Sequence, residues 1–114
     1  MTPFSYLLIG HLVGDYLFQT SWMAEKKAKQ WAPLLIHCAI YTTAVALLGV
    51  WGGVVFPPLV YVVLFLSHVL LDRRTFVVWW NATIMKNTTQ NWLFTMTDQI
   101  FHVIILALLV HYFI

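Results

Sequence analysis

Charged residues are scarce in this sequence, and their scarcity excludes an ordinary soluble domain. Only 9% of the 114 residues are Asp, Glu, Lys or Arg, whereas 61% are hydrophobic. Soluble globular domains carry about 25% charged residues. The length corresponds to one domain. We therefore predict a single integral membrane domain over residues 1–114, with the lipid bilayer as its surroundings and no nucleic-acid partner.

Cysteine is almost absent as well. The one cysteine, Cys38, has no second thiol with which to form an internal disulfide or to share a zinc ion. Its place inside a hydrophobic run favours a packing role. The start of the chain also lacks a basic segment and a small-residue cleavage site. We therefore expect the first hydrophobic segment to stay in the protein as a membrane helix.

Four hydrophobic runs predict four membrane helices. The runs cover about residues 2–20, 32–51, 57–72 and 93–112. The first begins with a threonine followed by a proline, which is a typical helix start. The connections 22–31 and 75–92 combine tryptophan with polar residues, a composition typical of the membrane interface. The sequence predicts an all-α, antiparallel four-helix membrane bundle with interfacial connections.

The basic residues define an orientation for this bundle. All six Lys and Arg residues lie between the first and second hydrophobic runs or between the third and fourth, and none lies near either terminus. Since short cytoplasmic loops carry an excess of Lys and Arg, we expect these two connections in the cytoplasm and both termini outside it. The predicted location is therefore a multi-pass one in the membrane.

Histidine and aspartate recur four residues apart inside the predicted helices. The pairs are His11 with Asp15, His68 with Asp72, and Asp98 with His102. Residues four apart share one helical face. A carboxylate inside a bilayer costs roughly 2.5 to 3.5 kcal/mol, so it needs partners. In the predicted orientation each aspartate lies nearer the cytoplasm than its histidine. Asp72 is the shallowest, so we expect it to be the most exposed to water and to serve in acid–base catalysis.

Together these side chains predict a metal centre. The candidate ligands are His11, Asp15, His37, His68, Asp72, Asp98 and His102. Four imidazoles and three carboxylates exceed the needs of one four-coordinate ion and suit two divalent ions. Nitrogen and oxygen ligands without thiolates fit zinc, iron or manganese, and we rank zinc first because nothing indicates redox chemistry. The alternative is a polar seam of hydrogen bonds and ion pairs between helices.

Three uncharged polar side chains accompany the candidate ligands. Gln19 and Gln99 flank the polar stripe, where they could orient ligands or simply bridge two helices. Tyr41 follows His37 by four residues, so it could hydrogen-bond to a ligand or donate a proton. Packing is the equal alternative for Tyr41.

Basic side chains lie at the predicted cytoplasmic helix ends. They are Lys26, Lys27, Lys29, Arg73 and Arg74. They could enforce the topology alone. Lys26, Arg73 and Arg74 are our candidates for binding an anionic lipid head group or a phosphorylated small molecule over the site.

These motifs resemble an uncharacterised family of small bacterial and phage membrane proteins, a domain of unknown function. The matching features are the His-Leu-x-x-Asp motif at 11–15, His37 with Tyr41, the segment 67–73, and Asp98-Gln99-x-x-His102. The resemblance covers nearly the whole chain and implies a metal site at the same seven residues. A more distant similarity to membrane-bound metal-dependent hydrolases implies hydrolysis, with no substrate that carries over.

The expected function is therefore that of a membrane-embedded, metal-dependent hydrolase acting on a phosphoester or a lipid-linked substrate. Asp72 and Tyr41 are the candidates for proton transfer. A metal-ion or proton transporter could use the same ligands, but the helix positions above His11 and His102 are almost entirely apolar. A haem protein with His11 and His102 as axial ligands is the third possibility, and three aspartates beside a haem oppose it.

Overall fold

The computed structural model describes all residues from 1 to 114 as an all-α chain. Its elements are α1 (Pro3–Leu12), a π-helical segment (Val13–Leu17), α2 (Ser21–Lys26), α3 (Trp31–Trp51), α4 (Pro58–Asp72), α5 (Thr75–Thr83) and α6 (Asn91–Phe113). The predicted all-α class is confirmed. The short helices α2 and α5 occupy the two connections that the sequence places at the interface.

Two of the helices are long and apolar enough to cross a membrane. These are α3, with 21 residues, and α6, with 23. Helix α4 has 15 residues, which is shorter than the roughly 20 residues that a straight crossing needs. Length and composition thus identify two candidate spans, where the hydrophobic runs of the sequence suggested four.

The helix boundaries follow local sequence chemistry. The hydroxyl of Thr2 accepts a hydrogen bond from the backbone N–H of Ser5 at 3.2 Å, and Pro3 occupies the first helical position of α1. Helix α3 ends at two glycines, of which Gly53 has a φ of 77°, a conformation that suits glycine because it lacks Cβ. These signals are local, which is why the predicted and observed boundaries agree closely.

The four longer helices form a closed ring of contacts. Helix α1 contacts α3 and α6, and α4 also contacts α3 and α6. One end of this ring holds an apolar cluster made of Leu7, Tyr41, Val45, Val54, Phe56, Val60, Leu64, Leu106 and Leu109. Val54 and Phe56 come from the connection between α3 and α4, and the other residues come from the middle of α1, the second half of α3, the first half of α4 and the second half of α6, as expected for antiparallel neighbours. The His and Asp residues therefore lie at the other end.

Glycine permits an unusually close approach between α1 and α3. A methyl group placed on Gly10 would lie 2.8 Å from the Cα atom of Val45, and one on Gly14 would lie 3.0 Å from the Cα atom of Tyr41. Both distances are below normal contact. Small residues four apart are a common means of bringing two membrane helices together. This contact places the π-helical segment against the part of α3 that carries Tyr41.

The π-helical segment changes the geometry of the first polar stripe. The backbone N–H of Phe18 bonds to the carbonyl of Val13 at 3.1 Å, a five-residue step that widens the turn around Asp15. Such turns are rare and occur frequently at functional sites. Gln19 lies beyond the helical turn, and its amide nitrogen donates back to the carbonyl of Asp15 at 3.0 Å.

We expect Gly10→Ala to destabilise the protein by about 1–3 kcal/mol, because the added methyl group meets backbone atoms that cannot rotate away. Thermal unfolding in a mild detergent, followed by circular dichroism, measures the loss. Gly49→Ala is the matched control, since its new methyl group would meet side chains alone, with its one tight contact at the end of the Leu7 side chain, 3.1 Å away. Equal losses in the two variants would contradict the proposed close contact.

Candidate metal centre

Six of the seven predicted ligands converge in two groups that share one aspartate. The first group is Asp15, His37, His68 and Asp72, and the second is Asp72, Asp98 and His102. All six side chains are buried, with at most 4% of any residue exposed. They come from the π-helical segment, α3, α4 and α6. The structure therefore brings together side chains from four different parts of the chain.

The first group forms a compact cage. Nε2 of His37 lies 3.0 Å from Oδ1 of Asp15 and 3.0 Å from Oδ2 of Asp72. Nε2 of His68 lies 2.9 Å from the same Asp72 oxygen and 3.4 Å from the same Asp15 oxygen, and the two histidine nitrogens are 3.0 Å apart. Four ligands placed tetrahedrally around zinc at about 2.0–2.1 Å would be roughly 3.3–3.4 Å apart. The cage is close to that size.

Hydrogen bonds do not account for this convergence. A neutral histidine carries one ring proton, yet Nε2 of His68 faces another nitrogen and two carboxylate oxygens within 3.4 Å. Both carboxylate oxygens of Asp15 lack a hydrogen bond of acceptable geometry, and so does Oδ2 of Asp72, although Nζ of Lys27 lies 3.0 Å from it. Buried carboxylates without such partners are costly. A cation inside the cage would bind one atom from each of the four side chains, namely Nε2 of His37, Nε2 of His68, Oδ1 of Asp15 and Oδ2 of Asp72.

The second group has the geometry of a prepared histidine ligand. Nδ1 of His102 donates to the backbone carbonyl of Asp98 at 2.7 Å. In the neutral ring this leaves a lone pair on Nε2, which faces Oδ1 of Asp72 at 3.1 Å. Two lone pairs repel unless the ring is protonated or a cation lies beside them. Donation from the second ring nitrogen to a carbonyl is also the usual way in which a metal-binding histidine is oriented.

His11 lies in the same layer but outside both groups. Its Nδ1 is 2.8 Å from the hydroxyl of Tyr41, and its Nε2 is 2.8 Å from Oε1 of Gln99. With the Gln99 oxygen as acceptor, Nε2 carries the proton and Nδ1 accepts from Tyr41. Nδ1 of His11 also lies 3.6 Å from Oδ2 of Asp15. Both ring nitrogens are thus engaged, and the structure does not bring His11 into the predicted ligand set.

Tyr41 contacts both His11 and the first ligand group. Its ring stacks on the imidazole of His68, with ring centroids 3.7 Å apart and planes 18° apart. Because Tyr41 is itself buried, this stacking holds the His68 ring in one orientation. Tyr41 therefore couples the His11–Gln99 pair to a metal-ligand candidate.

Lys27 is the functional-site residue that sequence reasoning missed. It is 4% exposed, and its Nζ lies 3.0 Å from Oδ2 of Asp72 and 2.7 Å from Oε1 of Gln19. The sequence predicts a surface position for Lys27, like that of Lys26 and Lys29. Its position four residues after Met23, which is also buried, was the available signal, because the two share the inner face of α2.

The expectation that Asp72 is the ligand most exposed to water is wrong. Asp72 is 1% exposed, less than Asp98. It lies at the end of α4, where depth along the helix predicted contact with water, but the neighbouring α2 places Lys27 on its carboxylate. Asp72 is the shared residue of both groups and is not a spare solvent-facing carboxylate.

The three candidate substrate-binding residues surround this layer without entering it. Lys26 is exposed. The guanidinium carbon of Arg73 lies 4.3 Å from the centroid of the Trp31 ring, and that of Arg74 lies 5.5 Å from the Phe94 ring. Stacking of this kind holds a cation next to an aromatic face while leaving some of its N–H groups free.

We expect Asp72→Asn to lower the metal content of the purified protein by at least half, because both ligand groups use that carboxylate. His11→Gln should leave the metal content close to that of the unmodified protein, since His11 belongs to neither group. Elemental mass spectrometry measures the ions per chain, and circular dichroism checks that both variants fold. Loss of metal in folded His11→Gln, with none lost in Asp72→Asn, would reverse the assignment.

The comparisons with other proteins identify a family. No curated protein and no solved structure matches the chain. One family model, described as "Protein of unknown function (DUF3307)", matches residues 4–114. The matched range contains both ligand groups, and the resemblance to an uncharacterised family is confirmed. Because this match spans nearly the whole chain, this protein belongs to the DUF3307 family.

Proposed function

We propose that this protein is a membrane-embedded, metal-dependent hydrolase with two divalent ions bridged by Asp72. The observation that carries the proposal is the direction of the two Asp72 oxygens. Oδ2 faces His37 and His68, whereas Oδ1 faces His102. A carboxylate that bridges two ligand groups is a common feature of dinuclear sites in helical bundles. Zinc remains our first choice for these nitrogen and oxygen ligands, followed by iron or manganese.

The charge balance of the site favours an anionic substrate. Two divalent ions and the Lys27 ammonium supply five positive charges against the three carboxylates of Asp15, Asp72 and Asp98. The excess of two attracts anions to a buried site, where the low dielectric strengthens the attraction. A phosphoester brings such a charge. A single divalent ion would instead balance the three carboxylates together with Lys27, so the number of ions decides between a catalytic and a structural centre.

The residues around the ligands suit hydrolysis. Divalent ions in such sites polarise the scissile ester and activate water. The hydrogen-bonded pair of Tyr41 and His11 lies directly beside the first ligand group and offers a route for a proton. Asp72, the candidate for acid–base catalysis in the sequence, would instead belong to both ligand groups. Gln19 and Gln99 hold Lys27 and His11 respectively.

The exposed apolar side chains of the helices favour a lipid bilayer as the environment of the protein. Large apolar side chains such as Leu47, Leu59, Leu66 and Leu70 are exposed on the helices, and soluble monomers rarely expose contiguous apolar surface of this kind. The clustering of Lys and Arg in two connections favours a cytoplasmic position for these connections and an outer position for both termini.

The rival functions find less support. A transporter needs a polar path that continues beyond the ligands, but the far end of the bundle is filled by the apolar cluster that includes Leu7, Val45 and Leu106. A haem protein with His11 as an axial ligand needs a free nitrogen on that ring, and both are engaged.

We expect protein purified in mild detergent to hold about two transition-metal ions per chain. Chelation should lower the thermal midpoint, because the ions link several helices, and zinc should restore it. The zinc-loaded protein should hydrolyse bis(p-nitrophenyl) phosphate, whereas Asp15→Asn should lose at least nine-tenths of that rate. A folded protein that takes up no zinc would leave the polar seam as the role of these residues. One ion per chain without hydrolysis would favour a structural centre.

We expect both termini to face the non-cytoplasmic side. In a Cys38→Ser background, Thr2→Cys and Ile114→Cys should react with a membrane-impermeant maleimide on intact spheroplasts. Glu25→Cys, in the connection between α1 and α3, is the control. It should react only after the membrane is broken. The opposite pattern would invert the protein in the membrane.

A further inference from the structure

A groove opens on the side of the bundle between α4, α5 and α6. It encloses about 780 Å³, within the range of roughly 300–1,000 Å³ that is typical of small-molecule sites. Leu70, Phe76, Trp79 and Ile105 supply apolar walls, and Arg73 supplies a charge. Because Leu70, Phe76 and Trp79 are exposed, the opening would face lipid in the proposed membrane setting.

The groove ends next to the metal-ligand candidates. Ser67, Leu71 and Ile105 line the groove and also line a narrow gap whose other wall contains His68 and His102. The gap is too small to hold a water molecule. These three side chains therefore lie between the groove and one histidine of each ligand group, and small movements of Leu71 and Ile105 would connect them.

Arg73 is the polar feature of the groove that lacks a partner. Its Nη1 is shielded from solvent and has no hydrogen-bond acceptor, while the guanidinium is held against the ring of Trp31. Arg73 as a whole is partly exposed and lines the groove, so its other N–H groups can reach an anionic oxygen there, and a guanidinium binds phosphate well. Arg73 is also adjacent in the chain to Asp72, so the anion would lie near the proposed metal centre.

A second groove on the protein lacks this combination. It lies between the start of the chain and α3, encloses about 450 Å³, and is lined by Val13, Phe18, Ala39, Ile40, Thr43, Ala44, Leu47 and Leu48. No charged side chain lines it. It would accept any apolar chain, whereas the first groove pairs an apolar wall with a cation.

We propose that the groove between α4, α5 and α6 binds an anionic phospholipid. Its acyl chain lies along Leu70, Phe76 and Trp79, and its phosphate pairs with Arg73. The binding of the lipid follows from the groove alone. Its role as the substrate rests on the proposed function. The phosphoester would then approach His68 and His102 from the side, without leaving the bilayer.

Lipid binding tests this inference separately from turnover. Native mass spectrometry of the detergent-purified protein should show phosphatidylglycerol bound at least five-fold more strongly than phosphatidylcholine. Arg73→Gln should abolish that preference while leaving the metal content unchanged. Lys86→Gln is the matched control, because it removes one exposed positive charge outside the groove. Equal effects of the two substitutions would overturn the assignment of the phosphate to Arg73.

Two further comparisons locate the lipid. Ile105→Trp should fill the groove and lower phosphatidylglycerol binding at least three-fold, whereas Leu47→Trp, at an exposed position of the second groove, should not. Glycerol 3-phosphate should compete poorly, since it lacks an acyl chain. Strong competition by it would show a soluble phosphate site and overturn the lipid assignment.

The results separate the two proposals. Zinc-dependent hydrolysis together with equal binding of both lipids would keep the hydrolase and reject the groove. Selective lipid binding at Arg73 in a protein that takes up no zinc would keep the groove and reject the metal centre.

Discussion

The carboxylate of Asp72 is the interaction on which the polar end of the bundle depends. One oxygen lies within 3.0 Å of nitrogens from His37, His68 and Lys27, and the other lies 3.1 Å from His102. These partners come from α3, α4 and α6 and from the end of α2. A buried carboxylate is costly unless charges and hydrogen bonds surround it. The arrangement of the four segments at this end follows from the need to surround Asp72 and Asp15.

The apolar half of the molecule makes that arrangement possible. Gly10 and Gly14 let α1 pack directly on the backbone of α3, and the π-helical turn then presents Asp15 to His37. In a bilayer, burying apolar surface provides little net stabilisation, so close packing and polar contacts must hold the helices together. Close packing at the glycine contact and ionic contacts at Asp15 and Asp72 therefore stabilise the same part of the structure.

Sequence periodicity was sufficient for the helices and for most of the site, since hydrophobic runs, prolines and glycines act locally. The four-residue spacing of His and Asp, with His37 as a separate element, identified all six side chains that the structure assembles, but not their division into two groups. It could not exclude His11, because the spacing places a side chain on a face without revealing that Tyr41 and Gln99 already occupy its nitrogens. It also misjudged Lys27 and Asp72. Depth along a helix predicts exposure only if nothing covers the helix end, and here Lys27, at the end of α2, covers it.

The burial of Lys27 has consequences for the chemistry that this end of the bundle can support. An ammonium beside Asp72 offsets one carboxylate before any metal binds, so two divalent ions would leave the layer with excess positive charge. Such a site attracts a phosphate more strongly than a neutral group. The nearest groove adds apolar walls and the partly shielded Arg73. An anionic head and an apolar tail together describe a phospholipid, and they connect the charge of the ligand layer to the shape of the adjoining surface.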